Sequence, residues 1–129
     1  MSDWIWLSTE LVLSAHAEQL ARFGGPSGIR DQGALESALA RPLNLVAYGN
    51  PDAAQLAAAY AFGLARNHAF VDGNKRIAWL SARIFLRLNA FTLRFEAQDA
   101  IDTMLALAAG SLSEDQVAHW LRERLTQPR

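Results

Sequence analysis

His68-Ala69-Phe70-Val71-Asp72-Gly73-Asn74-Lys75-Arg76 gathers a histidine, a carboxylate, a glycine turn, an amide and two adjacent cations into nine residues. Apolar, helix-favouring sequence flanks it on both sides: an alanine-rich run over residues 56–65, and Ile77-Ala78-Trp79-Leu80 onward. The pattern is therefore helix, tight turn at residues 71–73, helix. A helix N-terminus presents unpaired N–H groups and a partial positive charge, which makes it an anion site. Gly73 allows close backbone approach, Asn74 adds a side-chain donor, and Lys75 and Arg76 add a point charge and a planar fork suited to phosphate oxygens. The spacing is not that of a Walker A loop, which needs a different glycine pattern and a Lys-Ser/Thr ending.

His68 stands on the opposite lip of the turn, where an imidazole can take a proton from an attacking hydroxyl. Asp72 suits Mg²⁺, an ion usually held by one or two carboxylates plus phosphate oxygens. Taken singly, each group has an ordinary reading: a histidine as a helix cap, Asp-Gly-Asn as a turn, Lys-Arg as a solvated pair. Their coincidence at one junction favours an anion-binding turn with a base beside it. His16 and His119 lack partners at metal-ligand spacing and read as surface or helix-packing groups. No Gly-x-Ser-x-Gly elbow is present.

Working outward, Ser8 caps a helix running to about Phe23, with Trp4 and Trp6 pinning the lead-in to the core. Gly24-Gly25-Pro26 ends that helix. Residues 24–33 then hold four glycines, one proline, Arg30 and Asp31, which reads as a surface connection or as a flap over a site. Asp31 caps a short helix through Leu35, Leu39 and Ala40, stopped at Arg41-Pro42, and residues 43–51 read as irregular. Asp52 with Gln55 forms a capping box for a buried helix to about Asn67. After the helix from Asn74 to Leu88, with its stripe of Arg76, Arg83 and Arg87, residues 91–95 alternate as an extended stretch. Helices follow over residues 97–109 and from 114 to about 125, the last opened by a Ser113–Gln116 capping box. These elements sum to an all-α fold, a compact single-domain bundle of about six helices spanning residues 1–129.

The chain has 129 residues, 51% hydrophobic and 19% charged, enough for one domain with a sizeable core. Twelve Lys and Arg against 13 Asp and Glu argue against a general nucleic-acid binder, and direct nucleic-acid binding is not expected. Without cysteine there is no disulfide framework and no thiolate nucleophile, which suits a reducing cytosol. No basic n-region and no run of about 20 apolar residues occur, so neither a secretory signal nor a membrane span is expected, and the expected location is cytoplasmic.

The nine residues resemble the signature of the Fic/Doc superfamily, His-x-Phe-x-Asp/Glu-Ala/Gly-Asn-Gly/Lys-Arg. They are most similar to the death-on-curing (Doc) toxins of bacterial type II toxin–antitoxin systems. Phe23-Gly24-Gly25 with Gly28-Ile29-Arg30-Asp31 resembles the glycine-rich flap loop of that group, and Arg30 is the flap's candidate contact with the site. The resemblance spans roughly residues 8–125. It implies that His68 is the general base, Asp72 the Mg²⁺-holding acid, and Gly73, Asn74, Lys75 and Arg76 the cradle for a nucleotide phosphate. Lysine at position 75, where AMP-transferring Fic enzymes usually carry glycine, implies the Doc reaction. That reaction is a protein kinase transferring the γ-phosphate of ATP to a Ser/Thr hydroxyl of a translation factor, elongation factor Tu in the Doc group, which arrests translation. The alternative is Fic-type AMP transfer to a target hydroxyl. Ser14-Ala15-His16-Ala17-Glu18 begins the Fic inhibitory pattern, but Gln19 breaks it. Inhibition is then expected in trans, from a small Phd-like antitoxin. A non-catalytic docking module and a DNA-binding helix-turn-helix are the readings from other classes.

Overall fold

The computed structural model describes residues 3–126. It contains six helices: α1 (Thr9–Phe23), α2 (Gln32–Tyr48), α3 (Ala53–Arg66), α4 (Asn74–Leu88), α5 (Ala97–Ala109) and α6 (Glu114–Arg122). Two short strands, β1 (Thr92–Leu93) and β2 (Leu125–Thr126), pair antiparallel with Thr92 opposite Thr126. The expected all-α bundle is what forms.

Helix α3 is the axis of the fold. Its alanines, with Leu56, Tyr60 and Leu64, are buried on nearly every face, and α2, α4 and α6 pack around it. Small side chains let those neighbours come close. A Cβ on Gly63 would lie 3.0 Å from both the Cα and the Cβ of Ala38 on α2. Alanine in a helix interior is favoured over glycine by about 0.5–1 kcal/mol, whereas forcing an extra methyl into a packed interface costs about 1–3 kcal/mol. The packing term is the larger, so Gly63→Ala is expected to lower the midpoint of thermal unfolding. A rise would show that α2 and α3 yield easily at this crossing.

The caps read from the sequence form as expected. Ser8 accepts from the Leu11 N–H at 3.1 Å, Asp31 from Ala34 at 3.0 Å, and the Asp52–Gln55 and Ser113–Gln116 boxes are reciprocal. Burial raises the Asp52 carboxyl. Hydrogen bonds from Arg122 and the Gln55 N–H, with the Arg122 charge, outweigh burial and hold it below the usual carboxylate range. The N-terminal lead-in is pinned as its tryptophans predict. Trp4 and Trp6 each lie 5.9 Å from the Phe85 ring, and the Leu7 N–H donates to the buried Tyr60 hydroxyl at 3.1 Å.

Two expected boundaries are corrected. Helix α2 does not stop at Arg41-Pro42 but continues through Pro42 to Tyr48, taking in residues that read as irregular. Proline there removes one ladder bond, a large loss in an isolated helix. In the fold Pro42 is buried. Its neighbour Arg41 donates to Glu114 of α6 and lies 4.5 Å over the Phe62 ring, so tertiary contacts carry the helix across the gap. Helix α6 ends at Arg122 rather than near residue 125, because Leu125 and Thr126 pair with the extended stretch at 92–93. That pairing joins segments about thirty residues apart, which no local pattern reveals.

The arginine stripe on α4 lies exposed, as its solvated reading expects. Arg83 sits over the Trp79 and Phe95 rings at 5.7 and 5.2 Å, and among the described residues neither Arg83 nor Arg87 has a carboxylate partner. Among the described residues no helix is long and apolar enough to cross a membrane.

Candidate active site

The site forms where α3 hands over to α4. Asn67 caps α3, and its side-chain amide donates to the Ala34 carbonyl of α2 at 3.0 Å, which fixes the point of departure. The next residue, His68, takes a left-handed backbone conformation (φ +52°), unusual for a residue with a side chain. This turns the chain off the α3 axis and leaves the imidazole exposed.

The following three residues run extended against the glycine-rich loop. Ile29 and Phe70 form an antiparallel bridge, the Arg30 N–H donates to the Ala69 carbonyl at 2.7 Å, and the Val71 N–H to the Gly28 carbonyl at 3.1 Å. Arg30 Nε also donates to the His68 carbonyl at 3.1 Å. Residues 24–33 are therefore a flap laid on the motif rather than a detached surface connection. Arg30 reaches the site, although its contact is with backbone.

Asn74 has a further task beyond the one its position predicts. Its side-chain oxygen accepts from the Phe70 N–H and its amide nitrogen donates to the Phe70 carbonyl, both at 3.0 Å. The amide closes a ring that braces the turn. This bracing role is additional to the side-chain donor read from the sequence, because the amide nitrogen carries two hydrogens and Phe70 takes one.

Gly73 (φ +79°, ψ 17°) is the N-cap of α4. Helices α1, α2, α3 and α6 each have a side-chain cap, whereas the starts of α4 and α5 have none. Its first turn also carries no acid and two exposed cations, Lys75 and Arg76. The free N–H groups, the helix dipole and both cations therefore combine at one open end. Arg76 lies 4.6 Å over the Phe23 ring, linking this end to the last turn of α1. Beside it, a groove of about 540 Å³ runs between α4 and α5, lined by Lys75, Arg76, Trp79, Phe95 and Met104 among others.

The Asp72 carboxylate is exposed and has no ion pair among the described residues. It packs against the bare Cα of Gly25, where an added Cβ would fall 2.3 Å from Oδ2. Among the described residues no three His, Cys, Asp or Glu side chains gather as a metal cage. A lone exposed carboxylate beside an open helix N-terminus would fit Mg²⁺ carried on phosphate oxygens, since that ion binds few protein groups.

Sequence reasoning missed His16. It is 4% exposed, its Nε2 lies 2.7 Å from the Asp72 carbonyl, and its ring stacks on Phe70 at 3.7 Å between centroids. A signal was present: Val12, Ala15 and His16 share one face of α1 at helical spacing, and all three are buried. His119 is an exposed group 3.5 Å from Glu123, in keeping with its surface reading.

The site is thus built from a motif turn, a flap and an open helix end. A family model for the Fic/DOC family matches residues 6–86. "Protein kinase doc" of Escherichia phage P1 is 35% identical over 117 residues, 90% of this chain and 92% of its own. "Toxin Doc" of Mycolicibacterium smegmatis is 42% identical over 118 residues, 88% of each chain. The chain belongs to the Fic/Doc family.

Proposed function

We propose that residues 1–129 form one Fic/Doc domain acting as the toxin of a toxin–antitoxin pair, a transferase of the Doc kind that moves the γ-phosphate of ATP onto a protein hydroxyl. The observation that carries this reading is the uncapped head of α4, with Lys75 and Arg76 in its first turn, joined to the exposed His68 by a braced turn. The names of the two relatives, a protein kinase and a toxin, support it.

In this reading His68 accepts the proton of a Ser or Thr hydroxyl as its oxygen bonds to the γ-phosphorus. The bond from that phosphorus to the β–γ bridging oxygen breaks, and ADP leaves. The N–H groups at the start of α4, with Lys75 and Arg76, hold the transferred group and the charge that develops on it. Asp72 would hold Mg²⁺, which when bound neutralises phosphate charge. The groove beside Lys75 offers apolar walls for the rest of the nucleotide. The substrate is a translation factor, elongation factor Tu by analogy with the Doc group. The partner is a cognate small antitoxin of the Phd type, and the compartment is the cytoplasm.

The test is transfer from labelled ATP to a panel of translation factors. Label from the γ position, and none from the α position, is the expected result. Label from the α position alone would establish AMP transfer instead. Lys75→Gly removes a cation from the first turn of α4 and opens the neighbouring groove. It is expected to lower γ-transfer by about tenfold or more, in line with the loss of a charge-assisted bond to phosphate. Unchanged transfer would remove Lys75 from the chemistry.

A further inference from the structure

Beneath the exposed groups of the site lies a buried one that the reaction itself does not use. His16 comes from the middle of α1, and Asp72 is the only hydrogen-bond partner its ring has among the described residues. A carbonyl cannot donate, so Nε2 must carry the hydrogen and give it to the Asp72 oxygen at 2.7 Å. The ring is held flat on Phe70, with 16° between planes, so its direction is set by packing as well as by the bond.

The consequence lies in the peptide that joins Asp72 to Gly73. It is trans, so its C=O and N–H point in opposite directions. With the oxygen drawn inward onto His16, the Gly73 N–H is turned to the outer side, at the head of α4. The Gly73 N–H has no backbone acceptor among the described residues. Glycine tolerates either orientation of this peptide. The reversed one would aim an acceptor oxygen where an anion has to sit. Among the described residues His16 is the one donor that holds the Asp72 oxygen.

We propose that His16 is a positioning residue that locks the Asp72–Gly73 peptide, keeping the Gly73 N–H directed into the phosphate site and the carbonyl out of it. This rests on the anion-site reading above and adds the element that sets its polarity. Gly73 lies directly over the ring: a Cβ there would sit 3.5 Å from His16 Nε2, in ordinary van der Waals contact.

The test is calorimetric binding of pyrophosphate to the whole protein, which needs neither turnover nor a protein substrate. His16→Phe keeps the stacked ring and removes the donor; His16→Gln keeps a donor at similar reach and removes the ring. Pyrophosphate is expected to bind about tenfold more weakly to His16→Phe, the usual scale for stranding a buried acceptor, and near the native affinity to His16→Gln. ATP turnover should follow, with a raised KM in the first variant and rescue in the second. Native affinity in a folded His16→Phe overturns the proposal, as does equal weakening in both folded variants. Where His16→Phe does not fold, nitrogen NMR of the native imidazole decides: a hydrogen on Nε2 is expected, and its absence overturns the lock. A native protein that does not bind pyrophosphate overturns the anion-site reading and this inference together.

Discussion

Replacing His68 with alanine is expected to lower phosphate transfer by about 10²–10⁴-fold, the usual contribution of a positioned general base. The imidazole is exposed and makes no hydrogen bond among the described residues, so the loss should fall on the chemical step and not on folding. One structural effect has to be separated. His68 sits at φ +52°, where alanine is disfavoured by about 1–2 kcal/mol and asparagine is better tolerated. His68→Asn therefore removes the base while sparing the backbone. Both variants should be inactive, both should bind pyrophosphate as the native protein does, and only the alanine variant should unfold earlier. A measured rate within a few-fold of native in His68→Asn would take the base role away from this residue.

The second large effect is expected at Gly25, a residue outside the nine-residue motif. Its Cα lies against the Asp72 carboxylate, and a Cβ would fall 2.3 Å from Oδ2 at a backbone φ of +116°. In Gly25→Ala the carboxylate has to move. A displacement of about 1 Å in a positioned group costs on the order of 10²-fold in rate. Gly24 supplies the control. It too has a positive φ, +81°, but an added Cβ there meets nothing within 4 Å. Gly24→Ala and Gly25→Ala should therefore share a backbone penalty visible in thermal unfolding. Only Gly25→Ala should also weaken Mg²⁺-dependent nucleotide binding and lower kcat/KM. Equal activity in the two variants would show that the flap does not set the Asp72 carboxylate.

These two residues mark the difference between what was legible and what was not. The role proposed for His68 could be read directly, because the chemistry of a histidine, a carboxylate and a cationic helix start is concentrated in nine consecutive residues. Gly25 could be read only as part of a flexible loop. Its dependence on Asp72 appears when the two, 47 positions apart, are brought into contact. The same holds for Asn74, whose amide is an obvious phosphate donor on a local count. In the fold it also braces both polar groups of Phe70.

The sequence by itself determined the helices that carry strong local signals. Ser8, Asp31, Asp52 and Ser113 cap the helices they were expected to cap, because a capping bond spans three residues and needs nothing beyond them. It also determined the motif turn, where Gly73 starts α4 from a left-handed conformation that glycine adopts at no steric cost. Only the tertiary structure decided the rest. It carried α2 through Pro42, which local rules read as a stop, since burial and the Arg41–Glu114 pair outweigh one missing ladder bond. It paired residues 92–93 with 125–126. And it brought His16 from the buried face of α1 to the underside of the turn, where its Nε2 lies 2.7 Å from the Asp72 carbonyl, 56 positions away in the chain.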